Sequence, residues 1–183
     1  MGRDLRFGAT GSGLVSETHL ILPVPAAEPF VGAHRASFDP SARAGMPAHI
    51  TVLGPFIERG ALSSGDLSAL GELFAATAPI EFELARVARF EHALYLEPEP
   101  REPFVELTQA VWRRWPGQPP YGGAHREIVP HLTIAVGAED FHEVRAALER
   151  HLPLRAAARE AWLMALRSDE RWVVHRRFAL AAG

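Results

Sequence analysis

The stretch Ala48-His49-Ile50-Thr51-Val52-Leu53-Gly54-Pro55-Phe56 decides how this chain is read. Its density of β-branched and apolar residues, closed by Gly54-Pro55, predicts a strand from Ala48 to Phe56. Residues two apart on a strand share a face and lie roughly 6.5–7 Å apart. His49 and Thr51 therefore point one way, while Ile50 and Val52 point the other, into a core. A second stretch, Ile128 to Val136, contains Pro130-His131-Leu132-Thr133-Ile134 and repeats the pattern of proline, histidine, apolar residue, threonine and apolar residue. The two histidines stand 82 positions apart, at 49 and 131.

Nine histidines and fourteen serines and threonines would give rather less than one His-x-Ser/Thr match by chance. One match carries little weight; two, both with threonine, on predicted strands and flanked by apolar residues, carry much more. If the strands lie side by side or face each other, they make a cleft with two imidazoles and two hydroxyls. That set suits phosphate, because hydroxyls donate to non-bridging oxygens and imidazoles titrate near neutrality.

Outward from these strands, the order of elements is mixed. A strand is predicted over Thr18 to Val24 and a short helix over Pro29 to Ser37, followed by an irregular stretch through Asp39-Pro40 and Gly45-Met46-Pro47. Ser63 and Asp66 have capping-box spacing ahead of Leu67, Leu70, Leu73 and Phe74, which recur at helical spacing. Ile80, Phe82 and Leu84 alternate with Glu81 and Glu83 as a half-buried strand, which pairs with a strand holding Leu94 and Leu96. The stretch Pro98 to Pro103 is expected to break the sheet. Phe104, Leu107, Val111 and Trp115 mark a helix that Pro116 ends, and a loop rich in Pro and Gly follows. Asp140 and Glu143 again have capping-box spacing before a helix through Val144 and Leu148. Ala161 to Leu166 and Trp172 to Leu180 form a hairpin turned by Ser168-Asp169-Glu170-Arg171. Hairpins and antiparallel hints predict an α+β fold, not a doubly wound parallel sheet.

Composition limits the rest. The 183 residues suit one bilobal unit over 18–183 behind a Gly-rich leader over 1–17. With 48% apolar residues a core needs neither disulfide nor metal, and the absence of cysteine removes thiol nucleophiles and Cys-ligated zinc. A net charge of −3 argues against a general nucleic-acid binder and for a small or terminal phosphate ligand. Without a membrane-length apolar run or a signal-peptide core, the expectation is a cytoplasmic monomer with no membrane and no obligate protein partner.

The phrases HITVLGPF, LYLEPEP, RWPGQPPYGG and VPHLTIA, together with the paired motifs HITV and HLTI, resemble the 2H phosphoesterase superfamily, specifically its 2′-5′ RNA ligase-like branch, from about Thr18 to Leu180. The resemblance implies a bilobal α+β fold with pseudo-two-fold symmetry, in which two mostly antiparallel sheets flank a central cleft with helices outside. It implies a cyclic phosphodiesterase-like hydrolase that cleaves or forms 2′-linked phosphodiesters, including 2′,3′-cyclic ends, of RNA termini or small nucleotides, with no metal and no cofactor. By position, His49 and His131 are the acid–base pair, His49 the donor and His131 the acceptor, and Thr51 and Thr133 hold the phosphate. Relatives place a basic residue shortly after a motif; here the motifs run on as LGPF and AVGA, leaving Arg126 as the nearest candidate cation. Tyr121, beside Gly122-Gly123, is the candidate aromatic over a nucleobase, and Phe56 a second. Two other readings compete: a His-ligated metallohydrolase, for which no HxH, HExxH or paired-Asp pattern exists, and a nucleotide- or RNA-end-binding module without turnover.

Overall fold

A computed structural model describes residues 17–124 and 127–182. The predicted leader apart from Glu17, together with His125, Arg126 and Gly183, lies outside the described residues.

Among the described residues, eight strands form two four-stranded sheets, and every strand pair is antiparallel. The first sheet contains β1 (Thr18–Pro23), β2 (His49–Leu53), β7 (Glu160–Leu166) and β8 (Trp172–Ala179) in the order β2-β1-β7-β8. The second contains β3 (Ile80–Phe90), β4 (Ala93–Glu99), β5 (Leu132–Val136) and β6 (Leu154–Ala158) in the order β5-β4-β3-β6. The helices are α1 (Glu28–Phe38), the short α2 (Pro40–Arg43), α3 (Ser64–Ala75), α4 (Glu102–Arg114) and α5 (His142–Glu149). The expected α+β class and antiparallel sheets are observed.

The two sheets match strand for strand, with β2 answering β5 and β1 answering β4. Each pair is joined through a helix, α1 between β1 and β2, and α4 between β4 and β5. The helices cross over: α1 packs on β5 and α4 packs on β2. Both motif strands are edge strands of their sheets, and they meet each other. One core holds Ile50 and Val52 of β2 together with Leu132 and Ile134 of β5, Val31 of α1, Leu70 of α3 and Val111 of α4. Since the core side is common, His49, Thr51 and Thr133 fall on the opposite, open side of the two sheets.

Several boundaries differ from those the sequence predicts. The second motif strand begins at Leu132 instead of Ile128, because Pro130 has no N–H and the Val129 carbonyl is taken by side chains. Pro98 lies inside β4 and does not break it: it stands opposite Leu84, where β3 has a bulge, and beyond Leu96, the last β4 residue paired with β5. That bulge reverses the inward face between Leu84 and Val87, which hides the second half of β3 from a period-two reading. The Ala-rich β6 carries no alternation and was not foreseen, nor was α2, whose cap is the Asp39 carboxylate accepting from Ser41 N–H at 2.9 Å. The Ser63–Asp66 capping box forms in both directions. The Asp140–Glu143 box does not: Phe141 is the N-cap residue in the left-handed region, with no side-chain cap. No described helix is long and apolar enough to cross a membrane.

Candidate active site

The two motif histidines are held by the same device. His49 Nδ1 lies 2.7 Å from the carbonyl oxygen of Pro47, and His131 Nδ1 lies 2.7 Å from that of Val129. A carbonyl only accepts, so Nδ1 carries the proton and donates it in both cases. Nε2 is then the second nitrogen of each ring, the one at which a further proton binds. Thr51 and Thr133, two residues further on, are half-buried on the open side, and no protein hydrogen bond engages either hydroxyl among the described residues.

Around this shared device the two halves differ. His49 sits among charged and titratable groups. Burial pushes its pKa down from 6.5 to about 4; the Pro47 carbonyl works against this, and Arg35 and His19 add to the lowering while Asp39 opposes it. The imidazole is therefore neutral at pH 7. His131 instead sits in an aromatic enclosure. Its ring meets Phe90 at 5.0 Å and Tyr95 at 5.4 Å, both edge-on, and lies near-parallel to Tyr121 at 6.3 Å. Tyr95 is paired with Thr133 across β4 and β5, so it shares the open face; Phe90 stacks on it at 4.2 Å.

Arg35 of α1 ties the halves together. Its guanidinium is 2% exposed and pairs with Asp39 at 2.8 Å. It also donates to the Thr133 carbonyl at 3.1 Å and to the Met46 carbonyl at 3.3 Å, reaching both the second motif and the approach to the first. Glu28, one helix end away, accepts the Ala48 N–H at 2.6 Å and fixes the residue preceding His49. Sequence reading passed over Arg35, Asp39 and Tyr95. The Arg-x3-Asp spacing on a helix resembles an ordinary solvated pair, and the Thr133 partner lies 98 residues away. Tyr95 was implied only weakly, by alternating with Leu94 and Leu96.

The remaining candidates divide. Tyr121 is half-buried beside His131, with φ 54°, and its hydroxyl donates to the same Val129 carbonyl at 3.0 Å. Phe56 is a correction: it is buried at 4% exposure and packs edge-on against Trp115 at 5.4 Å, inside the core and not over the open face. Arg126 lies outside the described residues. His142 is exposed on α5, His92 is exposed between β3 and β4, and His175 is on β8. His19 of β1 pairs with Glu17 at 2.6 Å and meets the Trp172 ring in a tilted contact at 4.7 Å. No group of three or more His, Asp or Glu side chains among the described residues is arranged to hold a metal ion.

Twin edge strands, each with a His-x-Thr motif whose histidine stands at or just before the first strand residue, in a pseudo-symmetric α+β fold define a phosphoesterase-like class. The family model of the 2′-5′ RNA ligase superfamily matches residues 23–170, and the chain belongs to that superfamily. Solved structures share the fold. LigT of E. coli complexed with 3′-AMP is 19% identical with a TM-score of 0.60, over 92% of this chain and 99% of that one. TT0787 of Thermus thermophilus is 17% identical with a TM-score of 0.61, over 90% and 97%. A structure described as a phosphoesterase is 18% identical with a TM-score of 0.56, over 91% and 99%. LigT has also been solved with NADP+, with ATP and with phosphate. No curated protein sequence matches the chain.

Proposed function

We propose that the protein is a metal-independent phosphodiesterase acting on 2′,3′-cyclic phosphate or 2′-5′ linkages of RNA ends or small nucleotides, with His49, Thr51, His131 and Thr133 as its catalytic set. The observation that carries this reading is the duplicated Nδ1-to-carbonyl tether, which prepares two imidazoles for proton transfer at Nε2. In the cleavage direction one neutral imidazole takes a proton from water as the oxygen attacks phosphorus. The bond from phosphorus to a ribose oxygen breaks, and that oxygen receives a proton from the other imidazole. The Thr51 and Thr133 hydroxyls donate to the non-bridging oxygens, where charge gathers. With a ribose 5′-hydroxyl in place of water, attack on a 2′,3′-cyclic phosphate breaks the bond from phosphorus to O3′, that oxygen takes the proton from the donor imidazole, and a 2′-5′ linkage forms. The nucleotide complexes of LigT, on a shared fold, support a nucleotide ligand.

The family resemblance makes His49 the donor; its neutral state in the free protein favours the acceptor role. A substrate with an activated leaving group that needs no proton separates the two: it restores turnover to His49→Ala if His49 is the donor and leaves the variant slow if His49 is the acceptor. The function itself is tested by turnover of nucleoside 2′,3′-cyclic phosphates and of 2′-5′ dinucleotides in excess chelator. Full activity there is expected. Activity that chelator abolishes and added metal restores refutes the metal-independent reading, and binding without any turnover favours the binding module.

A further inference from the structure

The register of the first sheet aligns Thr51 of β2, Ile21 of β1, Trp162 of β7 and Arg177 of β8 as successive Cα partners. Directly opposed residues share a face, so this row runs across the open side that carries His49 and Thr51. With strands about 4.8 Å apart, Trp162 stands roughly 10 Å from Thr51 and Arg177 roughly 14 Å. The matching row of the second sheet, Thr133, Tyr95 and Ala88, contains no cation.

The Arg177 guanidinium carbon lies 4.4 Å over the Trp162 ring. No carboxylate pairs with Arg177 among the described residues, whereas Arg155, Arg159 and Arg167 each meet one within 3.2 Å. Arg176 beside it likewise has no carboxylate partner among the described residues, and β8 is the outer edge of its sheet. The Trp162 indole N–H is the one buried side-chain polar atom left without a hydrogen-bond partner among the described residues. A guanidinium over an indole ring keeps donors for a phosphate and an outer face for a base, here with no carboxylate claiming its charge among the described residues.

We propose that Arg177 on Trp162 is a second nucleotide subsite of the cleft, taking the base or phosphate of a nucleotide beyond the one at the two motifs, so that an oligonucleotide end is preferred over a mononucleotide. The inference rests on the phosphodiester reading for the position of the first nucleotide. A chain of net charge −3 whose row ends in Arg177, with no carboxylate partner among the described residues, can hold a phosphate there without a basic surface elsewhere.

The test is fluorescence anisotropy with a labelled hexaribonucleotide bearing a 3′-phosphate, against competition by a nucleoside 3′-monophosphate. Arg177→Gln should weaken hexamer binding about 10-fold and reduce the slope of log affinity against log salt by about 0.7, with mononucleotide affinity unchanged within about twofold. Arg177→Lys should keep the salt slope and still lose affinity, because lysine cannot stack flat. Arg177 is exposed on the edge strand, so its variants carry the test even if a Trp162→Leu variant fails to fold. No hexamer binding by the wild type, equal losses for both ligands, or no loss for the hexamer overturns the proposal. Binding is read without turnover, so a protein that binds as expected and cleaves nothing refutes the catalytic reading alone.

Discussion

The two motif strands share a backbone and differ in their company. Each ring is tethered by Nδ1 to the carbonyl two residues before it, and each strand is an edge strand backed by the other half's helix. Yet Thr51 faces Ile21 across its sheet where Thr133 faces Tyr95. His49 lies in the field of Arg35, Asp39 and His19, whereas His131 meets the rings of Phe90, Tyr95 and Tyr121. The duplicated backbone supplies two equivalent imidazoles; the unlike neighbours are what can give them unlike proton affinities. Symmetry sets the shared geometry, and the neighbours break it.

The largest test of that contrast removes each ring in turn. His49→Ala and His131→Ala should each lower kcat by about 10²–10⁴-fold on a cyclic nucleotide. An activated leaving group that needs no proton should rescue only the variant lacking the donor. Rescue of both, or of neither, would mean that the halves are not divided as acid and base.

Breaking the tie between the halves comes next. Arg35→Met leaves Asp39 buried without its cation and the Thr133 carbonyl without its donor, so a loss of about 3–5 kcal/mol in urea unfolding is expected. The double change Arg35→Met with Asp39→Leu should recover much of it, because no lone charge then remains buried.

The lowered pKa of His49 gives a pH signature of similar or smaller size. Between about pH 4 and 6.5 the unfolded chain binds the proton and the folded one does not, so stability falls as pH drops through that window. The loss approaches on the order of 3 kcal/mol from this group. His49→Gln should flatten the acid side of the stability curve, and an unchanged curve would contradict the lowered pKa.

The smallest effect compares two helix starts. Ser63→Ala should cost about 1 kcal/mol by removing a formed cap, whereas Asp140→Ala should cost almost nothing, since Asp140 caps no helix. Thermal unfolding of both variants checks the pair, and neither should alter turnover.

What the sequence revealed follows the range of the forces involved. The His-x-Thr strands are legible because their message is local: alternation puts His49 and Thr51 on one face whatever the rest does. The Ser63 box is legible for the same reason, since all its partners lie within three residues. Arg35 is not, because its decisive partner is 98 residues away and only the crossing of α1 onto β5 brings it near. Phe56 misled because an aromatic after a motif reads the same whether it turns to ligand or core; packing against Trp115 decided it. The row ending in Arg177 needs three strand registers at once, and none of them is written in a single segment.

The exchange of helices between halves bears on how anything reaches the motifs. A hinge that widened the space between the sheets would have to lift α1 from β5 and α4 from β2 together, and would tear the buried Arg35 from the Thr133 carbonyl. Gaping therefore carries the cost of core rupture. Side chains and loops at the rim, such as the 116–124 segment that carries Tyr121, can shift without breaking either helix contact. The molecule is built as a clasped frame, with its adaptability at the margin of the opening.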